Sequence, residues 1–173
     1  HQHLFAYARD LLKLNLKKAQ SQAQLLEMIR REAPDLIGLQ EVQELSFSWL
    51  QEELPEYCFL GHGRDAGYKN EFPPVAYRKD RFCLHAFREK WLSLQEDQPQ
   101  SRLEGLDQSR CARVYCCAEL IHKDCDTPFA FYNIHTDHQG QVARTVECAL
   151  LYRDINQCGL PYVLTGDFNA MPD

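Results

Sequence analysis

The sequence predicts an α/β protein in which helices cover layered sheets. The chain has 173 residues, 45% of them hydrophobic and 25% charged, which is ordinary for a globular protein with a substantial core. Helical and strand patterns are mixed along it, and several strands follow one another without a helix between them. That order favours a layered sandwich over a simple doubly wound sheet. No repeat or linker interrupts the sequence, so residues 1–173 are predicted to form one domain.

Three segments have the pattern of helices. Gln22–Glu32 places its apolar residues on one face and ends before Pro34, and Glu44–Leu54 ends before Pro55. The third helix is predicted over Gln141–Ile155, with an apolar stripe formed by Val142, Val146, Ala149 and Leu150.

Short apolar runs bounded by turn residues predict the strands. They lie at Asp35–Val42, Tyr57–Leu60, Pro74–Tyr77, Arg81–Phe87, Ala112–Ile121, Phe129–His135 and Pro161–Thr165. The polar segment Glu96–Gln108 lacks any apolar period and is predicted to be a long loop.

Charge and cysteine content narrow the function classes. The net charge of -6 argues mildly against a dedicated nucleic-acid binder, although a local basic surface or a bound cation can reverse the sign at one site. No apolar run is long enough to span a bilayer. The eight cysteines include no CxxC pair, and Cys83 and Cys148 lie in apolar runs. This pattern favours free thiols and a reduced, cytoplasmic setting over a structural zinc site.

Three predicted strands end in polar side chains that suit phosphate chemistry. Glu41 follows the first, Asn133 and His135 point the same way from the second, and Asp167 and Asn169 follow the third. A carboxylate with an amide beside it suits Mg²⁺ or Mn²⁺ and a phosphate oxygen. The alternatives remain a solvated glutamate, a hydrogen-bonded strand end without chemistry and an Asx-rich turn. A zinc site that uses His135 and His138 is a further alternative, but the preceding histidine that such a motif needs is Asn133 here.

Four motifs in this order resemble the endonuclease/exonuclease/phosphatase superfamily, whose members include deoxyribonucleases, sphingomyelinases and inositol polyphosphate 5-phosphatases. They are Pro34–Val42, Glu71–Phe82, Asn133–His135 and Gly166–Asn169. The sequence is most similar to a group of little-characterised bacterial hydrolases within it. The resemblance implies a four-layer α/β/β/α sandwich of two packed mixed sheets and a divalent-metal-dependent phosphoesterase. Its substrate would be a phosphodiester or a phosphomonoester.

The resemblance also implies roles for single residues. Glu41 would bind the divalent cation, Mg²⁺ or Mn²⁺, and Glu71 would pair with His135 and orient it. Asn133 and His135 would face the scissile phosphate, and Asp167 would bind or activate the attacking water.

Two further residues would bind the phosphate of the substrate. Asn169 would hold a phosphate oxygen, and Arg113 occupies a position where the family often has a phosphate-facing arginine. Arg110 is a rival for that last role.

Two departures from the family pattern bear on activity. Family members begin with a strand that ends in a metal-site asparagine, whereas the segment around Asn15 also has the pattern of an amphipathic helix. Family domains continue for about 80 residues beyond Asp173, with a terminal Asp-His pair that completes the site. The sequence therefore predicts a single domain that lacks the family's C-terminal portion; if these 173 residues are the whole protein, we expect far less activity than in an intact relative. A non-catalytic module that binds a phosphate ligand or a partner protein is the alternative; the oligomeric state is left open.

Overall fold

The computed structural model describes residues 11–15, by their backbone alone, and residues 22–171. The elements follow in chain order: β1 (Leu11–Asn15), α1 (Gln22–Glu32), β2 (Leu36–Gln40), α2 (Glu44–Glu53), β3 (Tyr57–Leu60), β4 (Val75–Arg78), β5 (Phe82–Trp91), β6 (Val114–His122), β7 (Pro128–His135), α3 (Gln141–Cys158) and β8 (Tyr162–Asp167).

The described strands form two mixed sheets of four strands each. The first sheet has the order β1-β2-β4-β3 and the second the order β5-β6-β7-β8. In each sheet one edge strand is parallel to its neighbour, β1 to β2 and β8 to β7, while the other pairings are antiparallel. The predicted layered α/β architecture with two mixed sheets is confirmed.

Apolar side chains fill three layers between these elements. The helices α1 and α2 pack on one face of the first sheet, where Ile29 and Leu50 meet Ile37. The opposite face of that sheet packs against the second sheet, and α3 covers the outer face of the second sheet through Leu151 and Ile155. The order of layers is therefore helix, sheet, sheet, helix, and burial of both faces of each sheet supplies the main driving force for folding.

A glycine allows the two sheets to approach closely in the middle of the sandwich. A Cβ atom on Gly38 would overlap Thr165 Oγ1 and the carboxamide of Asn133, both on the second sheet. Gly38 lies near the C-terminal end of β2. The closest approach therefore joins the ends of β2, β7 and β8, where the polar residues lie.

The structure decides against one alternative and one prediction that the sequence offered for the elements. The segment that ends at Asn15 is a strand, β1, and Asn15 pairs in register with Gln40. The structure thus corrects the helical alternative for this segment, and strand pairing with β2 supplies the reason. In α3 the predicted stripe is not the buried one: Val142 is 53% exposed, whereas the buried residues are Ala143, Glu147, Leu151 and Ile155.

Other predictions agree with the structure. The segment Glu96–Gln108 has no helix or strand. All eight cysteines carry free thiols, of which Cys83 and Cys148 are exposed. Within residues 11–15 and 22–171, no helix is both long and apolar enough to cross a membrane.

Candidate active site

Three acidic or basic side chains follow or end neighbouring strands at one edge of the sandwich. Glu41 comes directly after β2 and has a left-handed backbone with φ 58°. His135 ends β7, Asp167 ends β8, and the two residues are register partners in the parallel ladder. His135 is only 7% exposed, whereas Glu41 and Asp167 are half-buried. Ligands of layered α/β proteins bind at such carboxyl ends of strands.

The turn after β8 is held by its own hydrogen bonds. The Asn169 backbone N–H donates to Asp167 Oδ1 at 3.0 Å, which is the Asx turn that the sequence left open. The Asn169 side chain donates to the Thr136 carbonyl at 2.8 Å, and the Thr136 N–H donates to the Asp167 carbonyl at 3.0 Å. These bonds lock the turn onto the segment after His135, so Asp167 and Asn169 have fixed positions beside it.

Asn133 lies between the sheets, with 0% exposure. Its Nδ2 donates to the carbonyls of Leu39 and Pro74, at 2.6 and 3.0 Å. Its Oδ1 accepts hydrogen bonds from Gln40 Nε2 at 2.8 Å and from Thr165 Oγ1 at 2.9 Å. Both donors and both acceptor positions of the carboxamide are used. The structure therefore corrects the prediction that Asn133 faces the scissile phosphate, because its bonds fasten the two sheets together.

A small pocket brings together three of the predicted site residues. Glu71, Arg113 and His135 line it, together with Arg64. The remaining wall is formed by Phe72, Pro73, Ala112 and Val114. The imidazole and the two guanidinium groups can donate hydrogen bonds to phosphoryl oxygens, while the carboxylate of Glu71 offsets part of their positive charge.

Arg64 is a site residue that sequence reasoning missed. Its Nη2 lies 3.4 Å from Glu71 Oε2, and its side chain is 12% exposed. Glu71 therefore has an arginine partner in the same pocket that contains His135, and its predicted pairing with His135 stays a prediction. The only signal in the sequence is that Arg64 is the single arginine in the loop Gly61–Phe72.

Arg113, rather than Arg110, lines the pocket that contains His135. Arg113 is 4% exposed, and its Nη2 lies 2.7 Å from Nδ1 of the exposed His138. Arg110 is exposed and lines a different groove, along the loop between Leu94 and Leu106. Burial lowers the pKa of the Arg113 guanidinium, and the nearby charge of Arg64 lowers it further.

A buried carboxylate anchors Arg113 from behind. Arg113 Nε lies 3.5 Å from Asp137 Oδ1. The carboxylate of Asp137 accepts hydrogen bonds from the Ser109 hydroxyl and from the backbone N–H groups of Ser109, Gln139 and Gly140. Burial alone would raise the pKa of Asp137, but these donors hold it well below its usual range. Asp137 therefore remains a fixed negative charge behind the pocket.

Glu147 of α3 supports the same loop from inside the fold. Its side chain is fully buried, and Oε2 accepts the Asp137 backbone N–H at 2.8 Å. Burial raises the pKa of Glu147 to about 7; the Asp137 N–H opposes this, and the Asp137 charge adds to it. Nothing in the amino-acid pattern indicates this role, because a glutamate in an amphipathic helix is expected on the solvated face.

The donors at this edge suit a hard cation better than zinc. In residues 11–15 and 22–171, no three His, Cys, Asp or Glu side chains come together as a metal cluster. His138 Nδ1 faces the Arg113 guanidinium, whose positive charge opposes a cation there. Glu41 and Asp167 offer carboxylate oxygens, and Mg²⁺ needs only one or two carboxylates because it keeps water and substrate oxygens as its other ligands.

Comparison with known families and structures gives one consistent assignment. The sequence profile described as the Endonuclease/Exonuclease/phosphatase family matches residues 13–173. No curated protein sequence matches the chain significantly.

Solved structures with the same fold include three bacterial proteins. An endonuclease/exonuclease/phosphatase family protein from Bacteroides thetaiotaomicron is 34% identical, with a TM-score of 0.80, over 87% of this chain and 55% of its own. A protein of the same description from Bacteroides vulgatus is 32% identical, with a TM-score of 0.80, over 87% of this chain and 57% of its own. A mannosyl-6-phosphatase from Bacteroides thetaiotaomicron VPI-5482 is 30% identical, with a TM-score of 0.83, over 94% of this chain and 66% of its own. The present chain thus spans between 55 and 66% of the length of these relatives.

Proposed function

Because the chain belongs to the endonuclease/exonuclease/phosphatase family, we propose that it is a hydrolase that cleaves a phosphoester with the help of a divalent cation, Mg²⁺ or Mn²⁺. The observation that carries this proposal is the convergence of Arg113, Glu71 and His135 on one pocket. That pocket contains His135, whose register partner is Asp167, and Asn133 of the same strand accepts a hydrogen bond from Gln40, the residue before Glu41. Water activation, charge neutralisation and help for the leaving oxygen are the three requirements of phosphoester hydrolysis.

Four residues have distinct parts in the proposed reaction: Asp167, His135, Arg113 and Asn169. Asp167 accepts a proton from the attacking water, whose oxygen forms the new bond to phosphorus. His135 donates a hydrogen bond to a non-bridging oxygen or to the leaving oxygen, and the leaving oxygen takes up a proton from solvent as its bond to phosphorus breaks. Arg113 offsets negative charge on the non-bridging oxygens, and Asn169 holds one of them.

Glu41 is the residue proposed to hold the cation. Its position directly after β2, with a left-handed backbone, turns the chain at the edge of the site. Asn15 ends the neighbouring strand, β1, and is in register with Gln40 of β2. The backbone of β1 therefore places an asparagine at the same edge as Glu41. When bound, the cation would polarise a phosphoryl oxygen and lower the pKa of water.

The comparisons favour a phosphate ester of a small molecule as substrate. One of the similar structures is a mannosyl-6-phosphatase, and it aligns with 94% of this chain. The net charge of -6 also disfavours nucleic acid as a substrate, because like charges repel. There are two other candidates. The substrate is a phosphodiester, or the chain is a binding module that binds a ligand in this pocket without catalysing a reaction.

The test is hydrolysis of p-nitrophenyl phosphate and bis-p-nitrophenyl phosphate by the 173-residue chain with Mn²⁺. Asp167→Ala is expected to lower kcat by about 100-fold or more, because general-base assistance is lost. Asp126→Ala, at an exposed position in the turn before β7, is the matched control and should stay within about twofold, since surface changes have small effects. If Asp167→Ala and the parent chain hydrolyse the esters equally, the proposed function is wrong. If the parent chain binds inorganic phosphate but releases no nitrophenol, the binding module is the correct alternative.

A further inference from the structure

Two arginines share the small pocket beside His135. The side chain of Arg64 is 12% exposed and that of Arg113 is 4% exposed. The Nε atom of each is buried, and neither makes a hydrogen bond to any residue in the part of the chain that the structure describes. A buried, charged donor without a hydrogen-bond acceptor is costly, so a pair of them in one pocket calls for an explanation.

The carboxylates nearest to the two arginines, Glu71 in the pocket and Asp137 behind it, compensate only part of this charge. Arg64 has Glu71 at 3.4 Å, which is beyond ideal hydrogen-bond distance for a charged pair. Arg113 has Asp137 at 3.5 Å, but the oxygens of Asp137 already accept hydrogen bonds from Ser109, Gln139 and Gly140. The two guanidinium groups are also close enough to repel each other. An anion between them would remove the repulsion and provide hydrogen-bond acceptors.

Arg64 is held in place by its backbone. The Arg64 carbonyl oxygen accepts hydrogen bonds from Trp91 Nε1 at 2.7 Å and from the Gln100 N–H at 2.9 Å. The following turn is closed by a bond from the Asp65 N–H to the Lys69 carbonyl at 3.0 Å. A fixed backbone lowers the entropy lost when the guanidinium binds an anion.

We propose that Arg64 and Arg113 form a clamp for the terminal phosphoryl group of a phosphomonoester and that this clamp makes the site selective for phosphomonoesters over phosphodiesters. The inference rests on the proposed function and names its substrate class. A phosphomonoester at neutral pH carries close to two negative charges on three non-bridging oxygens. A phosphodiester carries one charge on two such oxygens, so it balances only one of the two guanidinium charges.

The first experiment measures binding without catalysis. Inorganic phosphate is titrated into the chain in the presence of a chelator, by calorimetry. Arg64→Gln and Arg113→Gln should each weaken phosphate binding by about tenfold or more, because a charge-assisted bidentate contact is lost. Arg110→Gln, in the separate groove, is the matched control and should change the Kd by less than about twofold. Equal affinities in the parent chain and Arg64→Gln would overturn the clamp.

Arg64→Lys separates the clamp from a loss of folding. It keeps the positive charge but loses the planar fork, so an intermediate phosphate affinity is expected with the urea midpoint of the parent chain. If Arg64→Lys and Arg64→Gln both have the parent midpoint and bind phosphate like the parent chain, Arg64 is not part of an anion site.

The second experiment tests selectivity with Mn²⁺ present. Arg64→Gln should lower kcat/KM for p-nitrophenyl phosphate at least about tenfold more than for bis-p-nitrophenyl phosphate, because only the monoester uses both arginines. An equal loss on both esters contradicts the proposed selectivity. If the parent chain hydrolyses neither ester, the proposed function fails, while the phosphate titration still decides whether the clamp exists.

Discussion

Asn133 shows how a residue beside the candidate site can matter through packing alone. Its carboxamide joins Leu39, Gln40 and Pro74 of the first half of the chain to Thr165 of β8. The hydrogen bonds of this buried carboxamide depend on one another, because loss of one partner leaves several other buried groups unsatisfied. His135, two residues along the same strand face, is positioned by this junction.

Asn133→Ala is expected to lower the free energy of unfolding by about 2–4 kcal/mol, because buried groups on both sheets lose their partners. Urea unfolding followed by circular dichroism measures the change. Asn156→Ala, on the exposed side of α3, is the matched control and should stay within about 0.5 kcal/mol of the parent chain. A loss below about 1 kcal/mol for Asn133→Ala would mean that the sheets do not depend on this junction.

At the residue scale, the sequence identified which strand ends carry polar groups but not which groups face the pocket. The period-2 rule put Asn133 and His135 on one face correctly, yet it could not see that Gln40 and Thr165 would enclose the first of them. Arg64 lies in an irregular loop, where no periodicity predicts the direction of a side chain. Only the tertiary structure brings it to Arg113.

The helix α3 has a buried face with a carboxyl group in its middle. Ala143, Leu151 and Ile155 pack inward as expected of a core face, and Glu147 lies among them because its Oε2 accepts the Asp137 N–H. The apolar pattern alone placed the inward face one position away, since it assigned Val142 to the core and a glutamate to solvent. The buried face of this helix thus includes a glutamate that accepts a hydrogen bond from a loop.

The pKa of Glu147 gives α3 a pH-dependent contribution to stability. The pKa is raised to about 7, from an ordinary value near 4.5, mainly by burial. The folded state therefore binds this proton more tightly than the unfolded state, and the stability contributed by protonated Glu147 is lost as pH rises through that range. In the parent chain this group should make the free energy of unfolding decline by on the order of 3 kcal/mol between about pH 4.5 and 7. Glu147→Gln should remove that decline.

The measurement is the free energy of unfolding across that pH range for the parent chain, Glu147→Gln and the exposed control Glu104→Gln. Glu89, whose pKa burial also raises to about 7, is present in all three proteins and contributes the same slope to each. A Glu147→Gln curve parallel to that of the parent chain would show that Glu147 is not protonated in the fold.

At the scale of the elements, local sequence patterns were sufficient to predict most helices and strands. They failed where pairing with a neighbouring strand determined the secondary structure. The bounds Gln22–Glu32 and Tyr57–Leu60 agree with the sequence prediction. The segment that ends at Asn15 has apolar residues that suit either a helix or a strand, and only the edge of β2 selects the strand. The long segment Glu96–Gln108 was predictable as a loop because it has no apolar period.

The whole molecule is built from two sheets that share one packed interface. Leu36, Val75 and Tyr77 of the first sheet meet Cys116 and Phe131 of the second. Because each sheet loses an apolar face to water if the other departs, the two are expected to unfold together. The overall layering could be inferred from adjacent strands without intervening helices, but the strand order within each sheet required the structure.

Cooperative unfolding can be measured with the two tryptophans. Trp49 packs against the core below the first sheet, and Trp91 ends β5 of the second. The Trp91→Phe variant keeps only Trp49, which reports on the first sheet, and the Trp49→Phe variant keeps only Trp91, which reports on the second. In each variant the fluorescence midpoint in urea should coincide with the circular dichroism midpoint, as a two-state transition requires. Separate midpoints within one variant would show that the sheets unfold independently.

The two sheets also occupy separate stretches of the chain, which bears on synthesis at the ribosome. Every described strand of the first sheet lies between Leu11 and Arg78, and every strand of the second lies between Phe82 and Asp167. Translation at about 5–20 residues per second therefore leaves the first sheet without its covering partner for several seconds. During that interval Leu36, Val75 and Tyr77 form an exposed apolar face. The side chains that cover this face become available only when β6 and β7 emerge.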